Sequence, residues 1–568
     1  MLILSVALGQ ASQCFAQTQA QPNAPAKVAA LHDPADLSSG RSTATPDPEA
    51  PLTLEKELAA VKLRMEQLEL ELQQLKGRQA QDVVSSATVV SPAKAAEALR
   101  VAMPVPAAVA ETAVDSATAK PEKPAPTEPF AFADWTWLNG TARTKDAVWD
   151  SKFFTPEVRF DSDFISSLNH PKDDTMGGST EIFRSNEFQL EQISFGGDFH
   201  YQNVRGRVLT MGGMFAATTP RNDASVGRGQ WDLRGAYKYF SEAYGGYHFN
   251  VNHGLNVDAG IFVSYIGLFS YYNFDNWAYQ PSYVSSNTPW FFNGLRIQWF
   301  PTDKLKIEPW IINGWQSYGR FGNRPGLGGQ ILYRPKPWVS LVFNNYGMGE
   351  DTLGLNGARS RIHTDDSVEI KYYDHPEKTL DKMAFSLTGD LGCEYGGGVA
   401  CFGDKKSNGQ ITAYKQAFLG WMLYNRFWFN KDRYAVTLGG GAMNNPGRYL
   451  ALLPPINGAD AVSGSPYFPA SPGTAYKAWD NSVTFDYMPR QYITFLWEFG
   501  YRHANVPYFT GRGGLTPPGG NNGSPAEFVC NDNTPDPTGT GCGSHGGLWT
   551  PDLRKDEPSI RMAIMVKF

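Results

Sequence analysis

For its first 129 residues the chain is almost without aromatic side chains: Phe15 is the single Trp, Tyr or Phe before Phe130. A segment so poor in large apolar groups cannot bury enough surface to fold as a conventional domain. Positive charge is not in excess either. Fifty Lys and Arg face 56 Asp and Glu, for a net charge of −6, which argues against a nucleic-acid partner. Beyond the first eight residues no apolar run approaches the ~20 residues a helix needs to span a bilayer, so a helical membrane bundle is excluded. Cysteine is scarce, at five residues, and the nine histidines are scattered without a spaced pair.

What the N-terminal third does contain is sequential. Met1–Leu8 is a short apolar run followed by small residues up to Ala16, the pattern of a secretory signal peptide over 1–16. Cys14 raises a lipoprotein signal, but Gln13 is too large and polar for the residue before a lipidated Cys. Residues 17–51 carry Pro, Ala, Ser and Asp without periodicity and are expected to be disordered. Over 52–76, Leu54, Leu58, Val61, Met65, Leu68, Leu72 and Leu75 alternate in steps of four and three, which predicts a coiled-coil helix. Its flanking pairs Glu57–Lys62, Arg64–Glu69 and Glu71–Lys76 are opposite in charge and favour parallel, in-register chains. The alternative is a lone amphipathic helix. Residues 77–129, rich in Ala and Pro, read as a semi-extended linker.

From Phe130 the composition changes: 74 of the 75 aromatic residues lie in this stretch. From Trp135 the periodicity is two. Ile560, Met562, Ile564, Val566 and Phe568 alternate with Ser559, Arg561, Ala563, Met565 and Lys567. Ile493, Phe495, Trp497, Phe499 and Tyr501 alternate with Thr494, Leu496, Glu498, Gly500 and Arg502. One face apolar and the other often charged, strand after strand, is the transmembrane β-barrel pattern. Seven short turns alternate with eight longer segments, around 150–186, 215–231, 264–288, 316–325, 348–362, 393–413, 444–477 and 504–557. This predicts an all-β antiparallel barrel over 130–568 with sixteen strands, fourteen and eighteen being the bounds. A barrel of that size encloses an aqueous lumen.

Residues 130–568 resemble the OmpL-like outer-membrane beta-barrel porin family. The resemblance is carried by Arg234-Gly-Ala-Tyr237 and the Gly-rich aromatic hairpin after it, by Gly260–Tyr283, and by the terminal Phe568. It implies a porin-like channel and brings no catalytic residues or cofactor. Phe568 is the expected signal to the barrel-assembly machinery, lipid of the outer membrane the surrounding solvent, and a homotrimer the expected assembly. The alternative is an envelope tether, whose coiled coil and linker contact peptidoglycan.

Chemistry of other kinds is weakly represented. Cys393 with Cys401 and Cys530 with Cys542 each share a predicted outer loop, and an oxidising compartment favours disulfides within each pair. A Cys₄ zinc site lacks knuckle spacing. Gly541–Gly546 matches a dinucleotide-binding glycine pattern without a βαβ unit around it. Asp532, Asn533 and Asp536 offer oxygen ligands for Ca²⁺ but fit a solvated turn better. No pattern brings a Ser and a His together for hydrolysis, so no enzyme is expected.

Inward-facing charges are nearly balanced, eight basic against seven acidic, so no ion preference follows. The third long segment, 264–288, is the expected pore constriction: it crowds aromatics and has Asp275 as its only charge. Candidate constriction residues are Tyr271, Tyr272, Phe274, Asp275, Trp277 and Tyr279 on that segment. Arg205, Arg207, Arg296, Glu498 and Arg502 are the candidates on the wall.

Overall fold

The chain divides into Met1–Ala119 and Lys120–Phe568. The computed structural model describes residues 127–568 except 172–173, 175, 177–183, 221–222, 224, 226–230, 232, 271, 287, 321, 350–358, 447–448, 450–474, 506–507 and 513–551. The signal peptide, the segment 17–51, the coiled coil and the linker up to residue 126, together with Tyr271, Cys530, Cys542, Asp532, Asn533, Asp536 and the Gly541–Gly546 pattern, lie outside the described residues.

Sixteen long strands follow in chain order. They are β1 (Phe154–Ser167), β2 (Glu187–Tyr201), β3 (Val204–Thr210), β4 (Phe240–Phe249), β5 (Leu255–Val263), β6 (Phe291–Thr302), β7 (Leu305–Ile312) and β8 (Gly326–Lys336). The second half is β9 (Val339–Gly347), β10 (Arg359–Asp374), β11 (Leu380–Gly396), β12 (Ala417–Phe429), β13 (Tyr434–Pro446), β14 (Ala475–Arg490), β15 (Ile493–Ala504) and β16 (Asp556–Lys567). Each pairs antiparallel with the next, and β1 pairs with β16 from Arg159↔Lys567 to Ser167↔Ser559. The Phe568 N–H donates to the Val158 carbonyl at 2.9 Å, and the Phe568 carbonyl accepts the Val158 N–H at 3.1 Å. The sheet is therefore a closed barrel without an edge. Among the described residues no helix is long and apolar enough to cross a membrane.

The alternation sets the faces. On β16, Ile560, Met562 and Ile564 point outward, whereas Ser559, Arg561, Ala563 and Met565 are buried inside. On β15, Trp497 and Phe499 face out, and Glu498 and Arg502 face in. The short-turn end is built from tight connections. Gln202 and Asn203, both at positive φ, join β2 to β3, the backbone that matches the right-handed strand twist. Asn430, Lys431 and Asp432, also at positive φ, join β12 to β13. The long connections L1 to L8 all lie at the other end, between each odd strand and the next even one.

Three features differ from the sequence reading. The first strand is Phe154–Ser167, inside the segment expected as a loop over 150–186, and residues 127–153 lie outside the sheet. The inward Arg159, Asp161 and Asp163 of this strand made it look polar and loop-like. Cys393 belongs to the end of β11, and L6 carries its own short strands at 399–400, 404–405 and 411–415. Cys393 and Cys401 are joined by a disulfide, Cα atoms 5.1 Å apart. Finally, β12 is largely apolar on both faces: Leu419, Trp421 and Leu423 face out, while Phe418, Met422, Tyr424 and Trp428 are buried within, with Arg426 the one charge among them. The inner set packs on L3, as described below.

Leu423 lies midway along β12 and is 43% exposed on the outer face. Leu423→Arg should destabilise the folded barrel by ~2–4 kcal/mol, the cost of a basic residue near the bilayer midplane. Denaturant titration in lipid vesicles, read by the heat-modifiable gel shift, measures it. An unchanged midpoint would place Leu423 away from lipid.

Candidate functional site

L3, residues 264–290, leaves β5 and returns to β6, but its middle is fastened to the opposite wall. The carboxylate of Glu498 on β15 accepts the N–H of Tyr279 (2.7 Å) and of Gln280 (3.1 Å). It also accepts the Thr484 hydroxyl at 2.7 Å and is paired with the Arg561 guanidinium at 2.9 Å. Asp480 on β14 accepts the Ser282 hydroxyl (2.8 Å) and the Tyr283 N–H (2.9 Å). Arg502 donates to the Pro281 carbonyl at 3.2 Å and lies 4.5 Å above the Tyr283 ring. The strand ladder uses main-chain groups alone, so these wall side chains can satisfy the backbone of an irregular segment away from water. The β13 wall must also be bare where L3 passes: a Cβ on Gly441 would come 2.5 Å from the Ser282 hydroxyl.

The near end of L3 is held by β1 and β16. Asp161 accepts the Asn273 amide and the Tyr279 hydroxyl, each at 3.0 Å. Arg159 lies 4.1 Å above the Tyr272 ring and 3.3 Å from Asp275. Lys567 Nζ reaches Asp275 at 3.1 Å. Burial acting alone would raise the Asp275 carboxyl, but Lys567 and Arg159, with hydrogen bonds from Lys567 and Asn139, hold it well below the usual carboxylate range. Trp277 meets Trp428 of β12 edge to face, ring centroids 5.6 Å apart.

A second layer lies beneath L3, toward the short turns. Residues 127–149, the strap, cross the mouth of the barrel. At one side the Phe130 N–H donates to the Asp303 carbonyl at 2.7 Å, and Arg334 lies over the rings of Phe130 and Trp135 at 5.0 and 4.7 Å. At the other side Arg143 donates to the Met488 carbonyl (2.6 Å) and Thr144 to the Gln491 carbonyl (2.5 Å). In the middle, Trp137 is buried and the Gly140 N–H donates to the Asp275 carbonyl at 3.2 Å. A Cβ on Gly140 would meet the Asn276 carbonyl oxygen at 2.0 Å, so only glycine permits this approach. Arg426 of β12 joins both layers. Its guanidinium donates to the Trp277 carbonyl of L3 (3.1 Å) and the Gly140 carbonyl of the strap (2.9 Å), and pairs with Asp486 at 2.8 Å.

The expected residues fall into two groups. Tyr272, Phe274, Trp277 and Tyr279 are buried inside the barrel, and Asp275, Glu498 and Arg502 take part in fastening L3. Arg205, Arg207 and Arg296 lie instead on the β3–β6 wall. Arg205 and Arg296 share Asp258 at 3.4 and 2.8 Å, and Arg207 pairs with Glu157, Asp198 and Glu242. Arg159, Asp161, Asp480 as an L3 acceptor, and Arg426 were not singled out from sequence. The doubly apolar pattern of β12 is the one signal that marks a lumen wall covered by protein. On β10 and β11, Asp365 and Asp390 face each other in register, with His363 Nε2 2.8 Å from Asp390. Among the described residues no cluster of three or more His, Cys, Asp or Glu is placed to hold a metal ion.

A closed sixteen-stranded antiparallel barrel, apolar outside, polar inside and crossed by its third long loop, is a porin-like channel fold of the outer membrane. The family model described as "Putative beta-barrel porin-2, OmpL-like" matches residues 161–523, and the chain belongs to that family. No curated protein sequence matches it. Among solved structures, the chain is similar to the anion-selective porin from Comamonas acidovorans: 11% identity, 73% of this chain and 99% of that one covered, TM-score 0.39. It is also similar to the outer-membrane channel DcaP of Acinetobacter baumannii (12%, 74% and 100%, 0.41) and to Pseudomonas putida OprB (10%, 73% and 94%, 0.40). These likenesses are loose, and the fold rests on the strand pairing itself.

Because the Asp275 carboxyl is depressed in the folded protein, its pairing contributes stability that is fully present above the ordinary value near ~3.9 and is lost as pH falls below it. The melting temperature of the parent should therefore drop more steeply below about pH 4 than that of Asp275→Asn, which has no such carboxylate. Parallel pH curves for the two proteins would show that Asp275 does not anchor L3.

Proposed function

We propose that the barrel is a channel for passive diffusion of small hydrophilic solutes, with L3 as the constriction. The observation that supports this most is the fastening of L3 to Asp480, Glu498 and Arg502 on the wall opposite its roots. A loop pinned there divides the lumen, and its width at that level sets the size of what passes. Aromatic surface left in water is costly at ~25 cal/mol per Å²; inside the barrel it is covered, while Tyr and Trp keep polar edges. Tyr272, Phe274, Trp277 and Tyr279 are at most 2% exposed, so these rings shape the constriction and do not offer stacking faces to a solute.

A second reading is an envelope tether, in which the N-terminal region contacts peptidoglycan and the barrel is an anchor. The crossing of the short-turn mouth by residues 127–149 is the observation that favours it. Thr127 meets His253 on the β4–β5 turn, its carbonyl oxygen 2.8 Å from the His253 ring, a contact at the short-turn mouth that supports the periplasmic side proposed for the N-terminal region in either reading. There the heptads of 52–76 would join parallel chains, with trimeric barrel contacts raising their local concentration.

Deleting residues 268–284 should raise single-channel conductance and relax the size limit in liposome swelling with a panel of sugars, amino acids and ions. Unchanged conductance in a correctly folded deletion variant would put L3 outside the conducting path, and a folded protein that never conducts would favour the tether. Removing residues 52–76 should weaken the oligomer in sedimentation without unfolding the barrel. A parent protein that sediments as a monomer would refute the assembly.

A further inference from the structure

We propose that residues 127–149 are a detachable plug, and that the short-turn mouth of the barrel is a binding site for this segment of the chain. The inference rests on the diffusion reading above and adds a second barrier in series with L3. The geometry begins with the two anchors. The β6–β7 turn, which holds Phe130, and the β14–β15 turn, which holds Thr144, are eight strands apart in a ring of sixteen. The segment thus runs along a diameter of the mouth. It also lies directly under L3, because Asp275 of L3 accepts from Asn139 and Gly140 and Arg426 bonds to both layers. A solute that has passed L3 meets this second layer before it leaves the barrel.

The attachment is of a kind that can be released. Among the described residues the segment makes two backbone-to-backbone hydrogen bonds to the rest of the chain, Phe130 to Asp303 and Gly140 to Asp275. No part of it belongs to the sheet. Its other ties are side-chain bonds, from Arg143 and Thr144 to turn carbonyls, from Asn139 to Asp275, from Gln491 to Asp146, between His253 and the Thr127 carbonyl and from Arg426 to the Gly140 carbonyl, with ring contacts and the burial of Trp137. Its departure would leave every strand pair intact. L3 is different: it is a closed loop rooted in two strands, and it is hydrogen-bonded to several charged groups of the wall, Asp161, Asp480, Glu498, Arg502 and Arg426, where among the described residues the 127–149 segment has only Arg426. The plug is therefore the weaker of the two layers and the one that can leave while the barrel and its constriction stay formed. The site it leaves is complementary to a peptide. It offers carbonyl acceptors at Met488 and Gln491, the Arg426 guanidinium as a donor to a main-chain carbonyl, and a slot for one indole.

The test uses the full-length chain in planar bilayers. In Thr144→Cys/Gln491→Cys the two substituted positions are neighbours, and non-reducing peptide mapping verifies the cross-link. Oxidation should abolish the large conductance level, and reductant should restore it. The parent protein, with its Cys393–Cys401 disulfide, should show no such response to reductant. Arg143→Ala, which removes one charged hydrogen bond at the rim, should raise the fraction of time spent at the large level by about tenfold. Conductance indifferent both to the cross-link and to Arg143→Ala would overturn the plug while leaving the diffusion channel standing. Absence of conductance in every state, including the L3 deletion, would overturn the diffusion reading and the plug with it.

Discussion

Hydrocarbon offers no hydrogen-bond partner to a backbone, so a strand in the bilayer must have its N–H and C=O groups met on both sides. The pairing of β1 with β16 meets that demand for this chain. Everything else follows from it. Closure fixes the alternation, since a one-residue slip would turn Arg561 and Glu498 toward lipid and Ile560 and Met562 toward the lumen. Closure of sixteen strands also makes a ring too wide for wall side chains to fill. The interior must then be occupied by water or by other parts of the chain.

Here much of it is occupied by chain, and the wall is adapted accordingly. Irregular backbone at membrane depth is tolerated only where protein or water satisfies it. Glu498, Asp480, Arg502 and Arg426 supply that satisfaction for L3. The carboxylate of Glu498 is itself kept in balance by Arg561, because a buried charge without a partner is strongly destabilising. The charges inside this barrel are thus largely structural. Their near balance along the strands reflects pairing and fastening as much as the passage of ions.

The strand-level architecture was legible because its signal is purely local. Period-two alternation, as at Ile560–Phe568, and short polar connections, as at Gln202-Asn203, depend on nearest neighbours in sequence. Sixteen strands could therefore be counted, although the first was misplaced, since Arg159 and Asp161, which serve L3, together with Asp163 gave their strand the composition of a loop. The lumen was legible only in part. The crowding of aromatics over 264–288 pointed to burial, and Glu498 and Arg502 could be assigned to the inner face. Which residues meet L3 depends on contacts more than 100 positions apart, such as Tyr279 with Glu498 or Asn273 with Asp161. No local pattern encodes those. The strap was misread for a related reason: Trp135 and Trp137 have strand-like spacing, but they pack beneath L3 and do not face lipid.

L3 and the strap also change the barrel as a mechanical object. Both tie the β5–β7 side of the ring to the β14–β15 side, one at mid-lumen and one at the mouth. A hollow cylinder under lateral pressure deforms by becoming oval. Shortening this diameter would compress packed rings such as Trp277 against Trp428. Lengthening it would pull Tyr279 from Glu498 and Thr144 from Gln491. The two layers act as crossbeams set in one direction, so the cross-section is stiffened along that axis.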